Sequence, residues 1–183
     1  MSATPKTALL LVDVQYDFCE GGSLSVPDSQ AVFPAINRLI AEAEEAREPI
    51  IAYRDWHPVD HCSFESWGGP WPVHCIQDSH GAAFHEEMDL PDDAVRVSKG
   101  TSFDQDNYSA FDGTGLSGYL RRLGVEQVRI AGLALDVCVQ ATVDDALGEG
   151  FGVELVADAT RAVEPEATNR VLGTLKDAGA RIV

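Results

Sequence analysis

The feature that most restricts the fold is a rhythm of short runs rich in Leu, Val and Ile at positions 9–12, 50–53, 94–97, 127–131, 153–156 and 181–183. The first two, 9–12 and 50–53, are continuously apolar rather than alternating, which is the pattern of strands buried on both faces. The stretches between them carry helical spacing. In 29–47, Val32, Ile36, Leu39, Ile40 and Ala43 fall on one face, and 136–149 and 165–178 read the same way. Strands alternating with helices predict an α/β fold with three layers (α/β/α) around a six-stranded, mostly parallel sheet. A chain of 183 residues fits one core, so one domain over 1–183 is expected, with 1–7 as an N-terminal tail. No internal repeat or linker interrupts it.

Charge narrows the partners. Thirteen Lys and Arg stand against 30 Asp and Glu, a formal charge of −17, so the surface repels phosphate backbones and anionic lipid heads. Neither nucleic acid nor a membrane is an expected partner. No apolar run reaches the ~18 residues of a membrane span, and the first eight residues lack signal-peptide order, so a cytoplasmic location is expected. Cys19, Cys62, Cys75 and Cys138 are too scattered for a disulfide framework and read as free thiols.

In open α/β sheets ligands bind at the carboxyl ends of the strands. Asp13 follows the first run, Lys99 the third, and Cys138 lies beyond the fourth near the start of a helix expected from Asp136. The helix dipole and an adjacent ammonium would favour a thiolate at Cys138. Taken singly, Cys138 also reads as a small buried hydrophobe and Asp13 as a turn cap. The segment 55–91 breaks the rhythm and holds all five histidines and all three tryptophans. If strand geometry persists beyond Asp55, its period of two puts Asp55 and His57 on one face. His61 and His74 complete a set of one carboxylate and three imidazoles suited to a first-row divalent metal. A structural zinc site from Cys62, Cys75, His57 and His61 is the competing metal reading. His80 and His85 fall on a stretch that reads as a short helix. No glycine-rich phosphate loop follows the first run, so no organic cofactor is expected.

Six pieces in order carry a family resemblance: Asp13-Val14-Gln15-x-Asp17-Phe18, Asp55-Trp56-His57-Pro58-x-x-His61-x-Ser63-Phe64, Trp71-Pro72-x-His74-Cys75, Lys99-Gly100, Tyr108-Ser109-Ala110-Phe111 and Gly132-Leu133-Ala134-x-Asp136-x-Cys138-Val139. Together they resemble the nicotinamidase/pyrazinamidase branch of the isochorismatase-like cysteine hydrolases. The resemblance implies a catalytic triad of Asp13, Lys99 and Cys138, and one divalent ion (zinc, iron or manganese) on Asp55, His57, His61 and His74. It implies an oxyanion hole from the backbone N–H groups of Ala134 and Cys138, with a cis peptide between Leu133 and Ala134. It places Phe18, Trp71 and Tyr108 around a pyridine ring, and Leu24, Leu133 and Val137 are further candidate pocket positions. The implied activity is hydrolysis of nicotinamide, and also of pyrazinamide, through a thioester, by a monomer or homo-oligomer. A carbamoyl or ureido amidase of the same superfamily is the near alternative, and a non-catalytic zinc scaffold the distant one. Tyr16, Leu135 and Val137 depart from the common family pattern, which leaves the preference among amides open.

Overall fold

The computed structural model describes residues 6–183. Six strands form one sheet: β1 Thr7–Val12, β2 Ile50–Asp55, β3 Val95–Lys99, β4 Gln127–Leu133, β5 Gly152–Arg161 and β6 Arg181–Ile182. Their order is β3-β2-β1-β4-β5-β6 and every pairing is parallel. Of the expected tail 1–7, residues 1–5 lie outside the described residues, and Thr7 is already the first residue of β1.

β1 sits at the centre and all six of its residues are buried, as its unbroken apolar run requires. Its side chains feed two cores. Leu9 and Leu11 pack with Ile36, Leu39, Ile40 and Ala43 of α1 (Phe33–Ala46) on one face. Ala8, Leu10 and Val12 pack on the other, with Leu120 of α2 (Leu116–Arg122), Val143 of α3 (Gln140–Gly148) and Leu175 of α4 (Thr168–Ala178). Each fully buried Ile or Leu contributes about 1.5–3 kcal/mol, so these two stripes hold the three layers together.

The helix starts differ from their expected positions for local reasons. The stretch from Ser29 opens as a 3-10 turn, and α1 begins at Phe33 with Pro34 in its first turn, where the missing N–H costs nothing. The stretch expected as a helix from Asp136 begins as a π-helical turn, Leu135–Val139, before α3. The stretch with His80 and His85 is a series of turns rather than a short helix. Its backbone is used in tertiary pairing instead, with Gln15 bridged to Phe84 and the His85 N–H donating to the Val14 carbonyl at 3.0 Å.

The order reverses between β1 and β4, and this switch point is where open sheets part their loops to leave a crevice. At that seam Gly132 has φ +123°, and a Cβ there would lie 2.1 Å from the Val12 carbonyl oxygen. Only glycine lets the two central backbones approach so closely.

Candidate active site

Asp13, the residue after β1, has φ 52°, a left-handed conformation that Asp tolerates better than most residues. Asp55 and Lys99 end adjacent strands and are register partners across β2 and β3. Cys138 lies in the π-turn after β4. Four strand ends thereby converge, and Lys99 is their hub. Its Nζ lies 2.9 Å from Asp13 Oδ2, 2.5 Å from Asp55 Oδ1 and 3.5 Å from Cys138 Sγ, and it also donates to the Asn107 carbonyl at 3.3 Å. All four side chains are buried.

Burial sets their protonation. It would lower the Lys99 ammonium, but the two carboxylates outweigh it and hold the group well above the ordinary lysine range. Burial raises the Asp13 carboxyl to about 6 against the opposing pull of Lys99. Burial would raise Asp55 too, yet the Lys99 ammonium, with His57 and His74 beside it, holds it well below the usual carboxylate range. The Cys138 thiol is pushed well above its ordinary value, by burial first, with Asp13 and Asp55 adding to it and Lys99 opposing. The thiolate expected from the helix start and the ammonium is therefore not the resting form. A buried thiol facing two carboxylates keeps its proton, and the Asp13 carboxylate, which accepts a hydrogen bond from it, is placed to take that proton.

Beyond β2 the extended backbone continues, with His57 bridged to Ile76, so Asp55 and His57 do share a face. Asp55 Oδ2 is 3.5 Å from His57 Nε2 and 3.8 Å from His74 Nε2, and these three residues form a group of potential metal-ligand atoms. Each imidazole is fixed by a backbone carbonyl: His57 Nδ1 donates to Gly100 and His74 Nδ1 donates to Pro72, both at 2.7 Å. With Nδ1 carrying the proton, both Nε2 lone pairs face the same carboxylate oxygen, which is the arrangement a divalent cation resolves. The donor set fits the expected ion.

His61 differs from its expected place. It stacks on His57 with centroids 4.0 Å apart, but its Nδ1 pairs with Ser63 Oγ at 2.7 Å and its Nε2 with the Gln105 carbonyl at 3.1 Å. Both ring nitrogens are engaged, and the structure does not group His61 with the other three. Neither Cys62 nor Cys75 joins a cluster of potential ligands among the described residues, so the competing cysteine zinc site is not assembled.

A cleft opens over this floor. Phe18, Leu24, Trp71, Tyr108, Leu133 and Val137 all line it, with Ala134, Cys138, Asp55 and His74. The Leu133–Ala134 peptide is cis. Val26, Asp106 and Val163 also line the cleft and were not expected, because each sits in a loop with no periodicity to mark it. Two side chains outside the candidate list, the buried Gln15 and the half-buried Asp17, support the site. The Gln15 amide holds the Asp55 backbone through both its N–H and C=O at 2.8 Å, and Asp17 accepts the Cys75 N–H at 2.7 Å beside His74. Both lie in the first motif, which is the signal that could have marked them.

Residues 7–183 match the isochorismatase domain family. The chain belongs to the isochorismatase family. Among curated isochorismatase relatives it is 36% identical to the nicotinamidase of Escherichia coli K12, over 97% of this chain and 94% of that one. It is 36% identical to the nicotinamidase/pyrazinamidase of Mycobacterium tuberculosis H37Rv, over 96% and 97%. Among solved structures, the pyrazinamidase of Pyrococcus horikoshii in complex with zinc superposes with a TM-score of 0.95 at 46% identity, covering 98% and 99% of the two chains. An L. infantum protein in complex with nicotinate superposes at 0.88 with 38% identity, covering 98% and 92%.

Proposed function

We propose that this chain is a nicotinamidase that converts nicotinamide to nicotinate and ammonia, with pyrazinamide as a further substrate. The observation that carries this reading is the single buried hub, where Lys99 touches Asp13, Asp55 and Cys138 on the floor of an aromatic-walled cleft beside the Asp55, His57 and His74 group. The nicotinamidase relatives, and the neighbours solved with zinc and with nicotinate, support it.

Asp13, ionised at neutral pH, takes the Cys138 thiol proton as sulfur bonds to the carboxamide carbon. The backbone N–H groups of Ala134 and Cys138 carry the oxyanion, an interaction worth about 3 kcal/mol per donor in hydrolases of this general kind. Asp13 returns its proton to the leaving nitrogen, the C–N bond breaks and ammonia departs. Water then attacks the thioester, giving a proton to Asp13 as its oxygen bonds to carbon. The C–S bond breaks, Asp13 reprotonates the sulfur, and the acid product ionises to nicotinate. Lys99 stays protonated throughout and keeps the two carboxylates and the transient thiolate in balance. Asp55, His57 and His74 hold one divalent ion (zinc, iron or manganese), which when bound supplies a Lewis-acidic partner for a pyridine nitrogen. Phe18, Trp71 and Tyr108 enclose the ring.

The chain acts in the cytoplasm as one domain on a small neutral substrate, returning the pyridine ring as an acid for reuse. No described helix is long and apolar enough to cross a membrane. The test is ammonia release by the purified metal-containing protein over nicotinamide, pyrazinamide and N-carbamoyl amides. Turnover of the two heteroaromatic amides is expected, and a preference for carbamoyl compounds would move the assignment to the sister amidases.

A further inference from the structure

The reaction turns a neutral amide into an anion inside the cleft, and the charges lining that cleft are one-sided. No Lys or Arg lines it. Of its two carboxylates, Asp55 is tied to Lys99, but Asp106 has no ion-pair partner among the described residues. Asp106 is half-buried on the loop after β3, where its carboxylate accepts the Asn107 N–H at 3.0 Å and acts on the neighbouring Tyr108 hydroxyl, whose proton it holds more firmly. The Tyr108 oxygen in turn accepts from Trp71 Nε1 at 3.1 Å. The loop is latched at both sides of Asp106, at Gln105 by His61 and at Asn107 by Lys99. An uncompensated negative charge is thereby held against the cleft wall, fixed to the aromatic pair that flanks it.

We infer that Asp106 is a specificity residue that discriminates by charge, disfavouring the carboxylate product against the neutral amide and so promoting product release. The inference rests on the nicotinamidase reading and deepens it. A like charge within roughly 10 Å in a partly solvated cleft weakens anion binding by about three- to tenfold and leaves a neutral ligand's electrostatic energy nearly untouched.

The test is the ratio of the nicotinate inhibition constant to the nicotinamide KM, measured on the metal-containing enzyme. Asp106→Asn should lower that ratio three- to tenfold at low salt, and Asp106→Ser, which also removes the charge, should do the same. The change should fade in 1 M salt, where the screening length is about 3 Å. Asp106→Glu should keep the ratio near that of the unmodified protein. Tyr108→Phe cuts the hydroxyl link and keeps the carboxylate, so it should shift both constants together. An unchanged ratio in Asp106→Asn, a fall that ignores salt, or an equal fall in Tyr108→Phe would overturn charge discrimination and leave the loop a purely structural role. Failure of the unmodified enzyme to release ammonia from nicotinamide would instead overturn the functional reading, and this inference with it.

Discussion

Replacing Asp13 by Asn should make the protein more stable while destroying its activity. The carboxyl is raised by burial from 3.8 to about 6. A carboxyl whose folded pKa lies above its unfolded value destabilises the fold wherever it is ionised. Its cost is fully present above pH 6, shrinks as pH falls from 6 to 3.8, and vanishes below that. At about 1.4 kcal/mol per pH unit the cost is about 3 kcal/mol at pH 7.5 and about 1 kcal/mol at pH 4.5. Asn is neutral at both and fills the same volume. Its amide offers one acceptor fewer to Lys99 and the Cys138 thiol, which forfeits about 1 kcal/mol. The net gain is then about 2 kcal/mol at pH 7.5, or about 4–8 °C in Tm for a chain of this size, and close to zero at pH 4.5. Calorimetry on chelator-treated protein at the two pH values measures it. Binding a divalent ion at the Asp55 group should narrow the gain, since the cation relieves the same carboxylate. A variant no more stable than the original at pH 7.5, or one whose advantage is the same at both pH values, would show that Asp13 is not held as a costly buried anion.

Cys138→Ala should abolish ammonia release while circular dichroism and metal content stay unchanged, because the thiol is buried but is not one of the Asp55, His57 and His74 group. His57→Ala and His74→Ala should each reduce bound metal by at least tenfold in elemental analysis, whereas His61→Ala should cost a few-fold at most. Equal losses from all three would return His61 to the ligand set. Gly132→Ala should lower Tm by 10 °C or more or prevent soluble expression, since its Cβ would meet the backbone of Val12 rather than a movable side chain. Recovery of a stable variant would mean that the β1–β4 seam is looser than described.

The strands were legible because parallel, doubly covered strands need continuous apolar runs, and Leu9 to Val12 supply the clearest one. β5 runs from Gly152 to Arg161, well past the apolar run, because Thr160 and Arg161 are held extended by pairing with Gly132 and Leu133 of β4 rather than by hydrophobicity. α2 escaped notice since it spans only Leu116–Arg122, too short for a helical period to show, and carries Gly118. In the site, Asp13, Lys99 and Cys138 could be picked out by one rule about strand ends, and Asp55 by the two-residue period it shares with His57. The state of Cys138 could not, because it depends on how many charges surround it in space, and the sequence offered the dipole and the lysine without the second carboxylate. His61 entered the expected ligand set through the histidine-rich segment and through the family resemblance. What removes it is a contact with Gln105, a residue 44 positions away.

The switch point at β1 and β4 also dates the two halves of the chemistry. The chain through β3 already contains Asp13, Asp55, His57, His74 and Lys99, that is, the proposed base, the ammonium and the Asp55, His57 and His74 group. Cys138, the proposed nucleophile, arrives only after β4, and it faces the others only when β4 aligns beside β1. Pairing of strands so distant in the chain is a slow class of folding event. In a refolding reaction, then, hydrolysis has to wait until the trailing half has closed the sheet, because only then does Cys138 reach Lys99.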